Sequence, residues 1–209
     1  MYVDRQVLID VYDQAIEGTT KATEYLNSRG LENTFGARYI SHCDVEINDT
    51  TFLKSAIIIP VYNVLGELIG LETRNTVNKQ YFKLFADTSD IPLFGVERYY
   101  KEEAIIVTES AICAESINQA NLPIKAVSTM TSDVRALVML YLAAIYKKIY
   151  WAFDNDDSGK RATEEVTNFF QLFFPNVEQD TLMFPYKDPN EFLDKEGRST
   201  FHKHLLKQL

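Results

Sequence analysis

Two short apolar runs, each ending at an acidic residue, constrain this chain more than anything else in it. Ala104-Ile-Ile-Val-Thr108 stops just before Glu109, and Ile149-Tyr-Trp-Ala-Phe153 runs straight into Asp154. Runs this short and this apolar suit parallel strands buried on both faces. Around them the periodicity is that of helices. One helix is predicted from about Ala111 to Asn118, followed by a strand near Ala126-Val-Ser128. The next helix carries Leu137, Leu140, Tyr141 and Ala144 at helical spacing, with Ser132 or Asp133 as its cap. Ala162, Val166, Phe169, Phe170 and Phe173 mark one face of another, and Thr181-Leu-Met-Phe184 reads as a fourth strand. Strand and helix alternate, so the predicted fold class is α/β, a parallel sheet flanked by helices.

The first half reads differently. Residues from about Asp10 to Tyr25 read as one helix leading into Tyr25-Leu-Asn-Ser-Arg-Gly-Leu31, with Gly30 just past the helix end. Ala56 to Tyr62 and Glu67 to Arg74 read as two strands, and Asn63 to Gly66 as the turn of a hairpin. The expected organisation is a smaller α+β subdomain over residues 1–100 and an α/β domain over 101–209, meeting near Tyr100.

A hydrophobic content of 46%, with 12% aromatic residues, is enough for a proper core in 209 residues. No apolar run approaches the roughly 20 residues of a membrane span, and Met-Tyr-Val-Asp-Arg lacks the basic-then-apolar order of a signal peptide. A cytoplasmic protein with no membrane partner is therefore expected. Cys43 and Cys113 lie far apart with no CxxC spacing, which excludes a zinc ribbon made by this chain alone and suits a reducing compartment. The formal net charge of −9 argues against tight, sequence-independent nucleic-acid binding. It is compatible with a metal enzyme, because bound cations invert the local charge.

In open parallel sheets, ligands bind outside the carboxyl ends of the strands. Glu109 lies past one such end, and Asp154 and Asp156 past another. If those strands are neighbours, three carboxylates share a crevice, and carboxylate oxygens are the donors that hard Mg²⁺ prefers. Two such ions about 4 Å apart can activate a hydroxyl and stabilise a leaving phosphate. Taken singly, each feature has a plainer reading. A Glu after a strand is usually solvated, and Asp154-Asn-Asp-Asp-Ser-Gly159 is a common way to turn into a helix capped by Asp157 or Ser158. A sharper rival is a calcium loop, since Asp154, Asp156, Ser158, Gly159 and Glu165 fall at positions 1, 3, 5, 6 and 12 of an EF-hand. Against it, there is one loop and no pair, Arg161 sits where an apolar residue is expected, and the preceding segment reads as a strand.

The second half resembles a TOPRIM domain, the metal-binding fold of DnaG-type primases, type IA and II topoisomerases and certain nucleases. The resemblance rests on Val107-Thr-Glu-Ser110, Phe153-Asp-Asn-Asp156, Ser158-Gly-Lys-Arg-Ala162 and Tyr186-Lys-Asp-Pro-Asn-Glu-Phe-Leu193. The first half is similar to primases in particular. Tyr25 to Leu31 resembles the segment that opens their RNA-polymerase core, and Ile59 to Gly70 the hairpin that follows, with Arg74 as its closing Arg. Lys79-Gln-Tyr81 with Lys83, and Pro92-Leu-Phe-Gly95, loosely resemble the stretch before TOPRIM. The match runs from about Asp13 to Leu193, with the motifs in the family's order. Ser110 stands where the family usually has Gly, Asn155 in place of a common Gly, and Asn190 in place of an Asp.

The resemblance implies a compact DNA primase core, phage-encoded or a fragment excised from such a primase, that makes short RNA on single-stranded DNA from ribonucleoside triphosphates, in the host cytoplasm if it is a phage's. It implies Mg²⁺ or Mn²⁺ held by Glu109, Asp154, Asp156 and Asp188, with Glu109, Asp154, Asp156 and Lys83 as catalytic residues. It also implies Arg29, Arg74, Lys83 and Lys187 as ligands of template phosphates or the incoming triphosphate, the first three lining a groove between the halves. A zinc-binding domain or a replicative helicase is the expected separate partner. The alternatives are a TOPRIM nuclease and a non-catalytic module of a replication complex; a relaxing topoisomerase would need its nucleophilic Tyr on a further large domain.

Overall fold

The computed structural model describes residues 1–17, 20–32, 35–43, 54–76, 81–86 and 90–209, and Lys79 of the Lys79-Gln-Tyr81 motif lies outside them. The chain forms two compact units, Met1–Pro92 and Leu93–Leu209. The division thus falls a few residues before Tyr100, for a physical reason. The segment after Pro92 is tied to the second unit by backbone bonds between Phe94 and Ser128 and by Arg98, which donates to buried Glu115 at 2.6 Å.

The first unit contains β1 (Tyr2–Val3), α1 (Arg5–Gln14), β2 (Ile16–Glu17), α2 (Thr20–Asn27), β3 (Arg38–His42), β4 (Lys54–Tyr62), β5 (Leu68–Asn75) and β6 (Tyr81–Ala86). Its strands form one sheet in the order β1-β6-β5-β4-β3-β2, antiparallel except where β1 meets β6. The single helix expected over Asp10 to Tyr25 is two helices. Ala15 leaves α1 in an extended conformation, and Ile16 and Glu17 pair with β3 instead of continuing the helix. The turn after α2 is as the sequence suggests: Gly30 has φ 70°, and the Leu31 N–H reaches back to the Leu26 carbonyl at 3.0 Å while both leucines are buried. The β4–β5 hairpin closes at Asn63, whose Oδ1 accepts the Leu65 and Glu67 N–H groups, with Gly66 at φ 78°. Leu8 and Val11 of α1 pack with Ile40, Ala56, Ile58, Leu71 and Leu84 to form the core of this unit.

The second unit contains α3 (Val96–Tyr99), β7 (Ala104–Thr108), α4 (Ala111–Asn118), β8 (Lys125–Ser128), α5 (Ala136–Ile145), β9 (Lys148–Trp151), α6 (Asp157–Phe173), β10 (Glu178–Thr181) and α7 (Pro189–Leu206). Its sheet is wholly parallel, in the order β10-β9-β7-β8. From β7 the chain crosses through α4 to β8 on one side, and from β9 through α6 to β10 on the other. Right-handed crossovers in opposite directions put α4 and α6 on opposite faces; α4 packs with α7, and α5 with α6. Ile105, Ile106, Val107, Ile149 and Trp151 are fully buried between these layers, and Trp151 meets Phe170 edge-on at 5.5 Å.

The last strand and helix α5 depart from expectation. The last strand is Glu178–Thr181, three residues before the apolar run. An edge strand tolerates its polar sequence, and Leu182 and Phe184 bury themselves just beyond it. Helix α5 is preceded by Arg135, since Ser132 and Asp133 belong to a turn in which the Thr131 hydroxyl accepts the Asp133 N–H. Its buried residues are Val138, Met139 and Leu142, while Leu137 and Leu140 are exposed. A helix apolar on every side gives no phase from sequence. The EF-hand does not form, because α6 begins at Asp157 and Glu165 lies exposed in mid-helix.

Candidate metal centre

Neighbouring strands β7 and β9 are where the crossovers diverge, the switch point at which parallel sheets bind ligands. Glu109 follows β7, and Asp154 follows β9. The Glu109 Oε1 accepts the backbone N–H of Asp154 at 3.0 Å, which ties the two strand ends together. Gly159 makes this approach feasible. A Cβ there would lie 2.0 Å from the Asp154 carbonyl oxygen and 2.8 Å from the Glu109 Oε1.

Asp156 and Asp188 hold their places as helix caps. The Asp156 Oδ1 accepts the N–H groups of Ser158 and Gly159, both at 3.0 Å, and opens α6. The Asp188 Oδ1 accepts the Glu191 N–H at 2.7 Å and opens α7, with Pro189 in the first turn. Lys187 brings its ammonium to 3.7 Å from the Asp154 Oδ2 and 3.5 Å from the Asp156 Oδ2. The backbone joins the two acidic loops, since the Asn155 N–H donates to the Lys187 carbonyl at 2.5 Å and Asn155 Nδ2 to the Phe184 carbonyl at 3.2 Å.

Charge is distributed unevenly. Burial, then Glu109 and Asp188 beside it, push the Asp154 carboxyl up to about 7, with Lys187 opposing them. Asp156 is held below the usual carboxylate range, first by the Gly159 N–H and further by Lys187. Lys187 is raised, chiefly by Asp154.

The site has a member that the motifs did not single out. One oxygen of Asp154, one of Asp188 and the Cys113 sulfur lie within 4.8 Å of one another. Cys113 is in the first turn of α4, where the Ser110 hydroxyl accepts its N–H, and that turn faces the strand ends. The one available signal was its place four residues after Glu109, at the start of the helix leaving the crevice. The departures from the family pattern are absorbed locally. Ser110 is extended (φ −139°) and caps α4, so no Gly is needed. Asn155 is not among the residues of positive φ, so it does not use the left-handed backbone. Buried Asn190 donates to the Ser116 hydroxyl at 3.0 Å.

The remaining basic residues lie in the first unit. Arg74 on β5 and Lys83 on β6 share a sheet face with Glu72, which pairs with Lys83 across the strands. Arg74 spends its Nε and one terminal nitrogen on the buried Glu72 carboxylate, at 2.6 and 2.5 Å. Arg29 is exposed, 5.8 Å from the centre of the Tyr25 ring.

Residues 106–193 match the family model described as Toprim-like. The fold is that of a DnaG-type primase catalytic core. A DnaG primase catalytic domain bound to single-stranded DNA superposes with a TM-score of 0.79 at 15% identity, over 98% of this chain and 78% of that one. The primase fragment of the bacteriophage T7 primase-helicase protein gives 0.64 at 18% identity, over 87% and 72%. In sequence the chain is similar to the DNA primase of Thermotoga maritima, 24% identical over 232 residues, 93% of this chain and 41% of the relative. It therefore spans about two fifths of that protein's length.

These likenesses imply a divalent cation, and the donor set fits one. Carboxylates from two strand ends and a helix start converge, and burial with like-charged neighbours shifts Asp154 toward its protonated form, an environment that a bound cation would reverse. Among the described residues, no helix is long and apolar enough to cross a membrane.

Proposed function

We propose that this chain is the catalytic core of a DNA primase, joining ribonucleoside triphosphates into short RNA on a single-stranded DNA template. The observation that carries this is the gathering of Glu109, Asp156 and Asp188 around Asp154, with Asp188 alone of the three in ligand range of it, at the switch point of a parallel sheet in the DnaG-core fold. Asp154 and Asp188 with Glu109 and Asp156 would hold Mg²⁺ or Mn²⁺, which would supply Lewis acidity at the α-phosphate and lower the pKa of the attacking 3′-hydroxyl. The chain's own work is positioning. The caps fix Asp156 and Asp188 before any ligand arrives, and Gly159 lets Glu109 and Asp154 close on each other. Lys187 neutralises the two Asp carboxylates and is within reach of an incoming triphosphate. Arg29, Arg74 and Lys83 bind template or triphosphate oxygens, Lys83 as a point charge and Arg29 through its fork. Lys83 is a catalytic residue on this reading.

A zinc-binding domain or a helicase supplies template choice, as the primase-helicase relative suggests. Primer synthesis is tested with labelled ribonucleotides on single-stranded DNA with Mg²⁺ or Mn²⁺, beside Asp154→Ala. Short RNA from the parent alone is expected; equal activity in the variant sinks the assignment. DNA cleavage without synthesis in the same reactions replaces the primase with a nuclease.

A further inference from the structure

The donor cluster nearest to closing on a single ion is not made of carboxylates alone. Cys113 contributes a sulfur that, with oxygens of Asp154 and Asp188, forms a group within 4.8 Å. Donors on one tetrahedral ion with bonds of about 2.0–2.3 Å sit about 3.3–3.8 Å apart, so side-chain adjustments of up to about an ångström bring these three onto one centre. Cys113 is held there: it is only 4% exposed, its N–H is fixed by Ser110, and the Asn190 N–H is directed at its sulfur. The other cysteine, Cys43, lies in the core of the first unit with Ile40, Ala56 and Ile58. The two thiols therefore have different surroundings, one apolar and one carboxylate-rich.

We propose that Cys113 is a metal ligand beside Asp154 and Asp188, and that its sulfur makes this centre prefer a thiophilic divalent ion, Zn²⁺ ahead of Mg²⁺. Thiolates select borderline and soft ions, whereas Mg²⁺ takes oxygen donors and keeps its waters. Binding replaces the sulfur–hydrogen bond with a sulfur–metal bond, and the proton leaves to solvent. The inference rests on the reading that this crevice is the metal centre, and adds a ligand and a selectivity to it.

The test uses Co²⁺ as probe, on the whole chain, followed by near-ultraviolet absorption, where a sulfur-to-cobalt charge-transfer band reports thiolate ligation. The expected result is a band that saturates at one Co²⁺ per chain, is bleached by Zn²⁺ and survives a large excess of Mg²⁺. Cys43→Ser keeps it, and Cys113→Ser loses it together with at least about tenfold in Co²⁺ affinity. Because Cys43→Ser leaves the centre untouched, the band's origin is readable even if Cys113→Ser fails to fold. A parent chain that binds Co²⁺ without the band, or binds none, overturns the proposal, as does a band that Cys43→Ser abolishes. The band needs neither template nor nucleotide. Its absence from a chain that makes primers overturns thiolate ligation alone; its presence in a chain that makes none upholds the ligand and sinks the primase reading.

Discussion

Asp154 is half-buried beside Glu109 and Asp188, which Lys187 offsets only in part, and this has a measurable consequence without any metal. In the unfolded chain it titrates near 4, whereas in the fold it titrates at about 7. Below pH about 4 both states carry the proton, and its contribution to stability is fully present. Between about 4 and 7 the folded chain keeps a proton that the unfolded chain releases, so stability falls as pH rises. Metal-free protein should therefore melt at progressively lower temperature across that window, and Mg²⁺ or Mn²⁺ should remove most of the slope. Asp154→Asn should flatten the profile and raise metal-free stability near pH 8 by about 1–2 kcal/mol, a few degrees in Tm. A variant that melts with the parent's pH dependence counts against the electrostatics described. At this scale the sequence showed which acids follow strands, because strand ends are visible in hydrophobic pattern. Cys113 was hidden because a lone cysteine on an apolar helix face reads as core. The Glu72–Arg74 pair was hidden because it depends on which strand face is covered.

Elements carry the site through two junctions, from β7 into α4 and from β9 into α6, and Gly159 is the tightest point of the second. Gly159→Ala would drive a Cβ into the Asp154 backbone, which cannot swing aside as a long side chain can. The expected outcome is a loss of about 1–3 kcal/mol in thermal or denaturant unfolding, with calorimetric metal binding weakened because Glu109 and Asp154 must separate. Parent-like stability and affinity would show that the junction relaxes freely. Elements with a clear period were legible nearly to the residue, as at Ala104–Thr108 and Ala111–Asn118. Those without one were not. The uniformly apolar α5 concealed its buried side, and β2 interrupted an otherwise continuous helical pattern because two residues found a strand partner. β10 was misplaced because an exposed edge strand has no apolar signature.

For the whole molecule, a net charge of −9 limits the phosphate contacts that the proposed template binding can draw on. If Arg29, Arg74 and Lys83 make the phosphate contacts, the log–log salt dependence of single-stranded DNA affinity should have a slope of about −2, from three contacts at about 0.7 each. Fluorescence anisotropy of a labelled oligonucleotide over a KCl series measures it, and Lys83→Ala should reduce the slope by about 0.7. A steep slope that Lys83→Ala leaves unchanged would move template binding to other residues. The division into two units was legible from the change of period between the halves; the allegiance of Leu93 to Tyr99 was not, because it rests on contacts with β8 and α4 that no local pattern announces. The double employment of Asp156 and Asp188 also bears on how such a chain decays. Each needs one oxygen merely to start a helix, so a lineage that abandoned catalysis would still be held to these two positions by foldability. Asp154, whose carboxylate neither caps a helix nor joins two strand ends, would drift first, and the order in which the four acids vanish from degenerate copies would record when the chemistry, rather than the fold, stopped being selected.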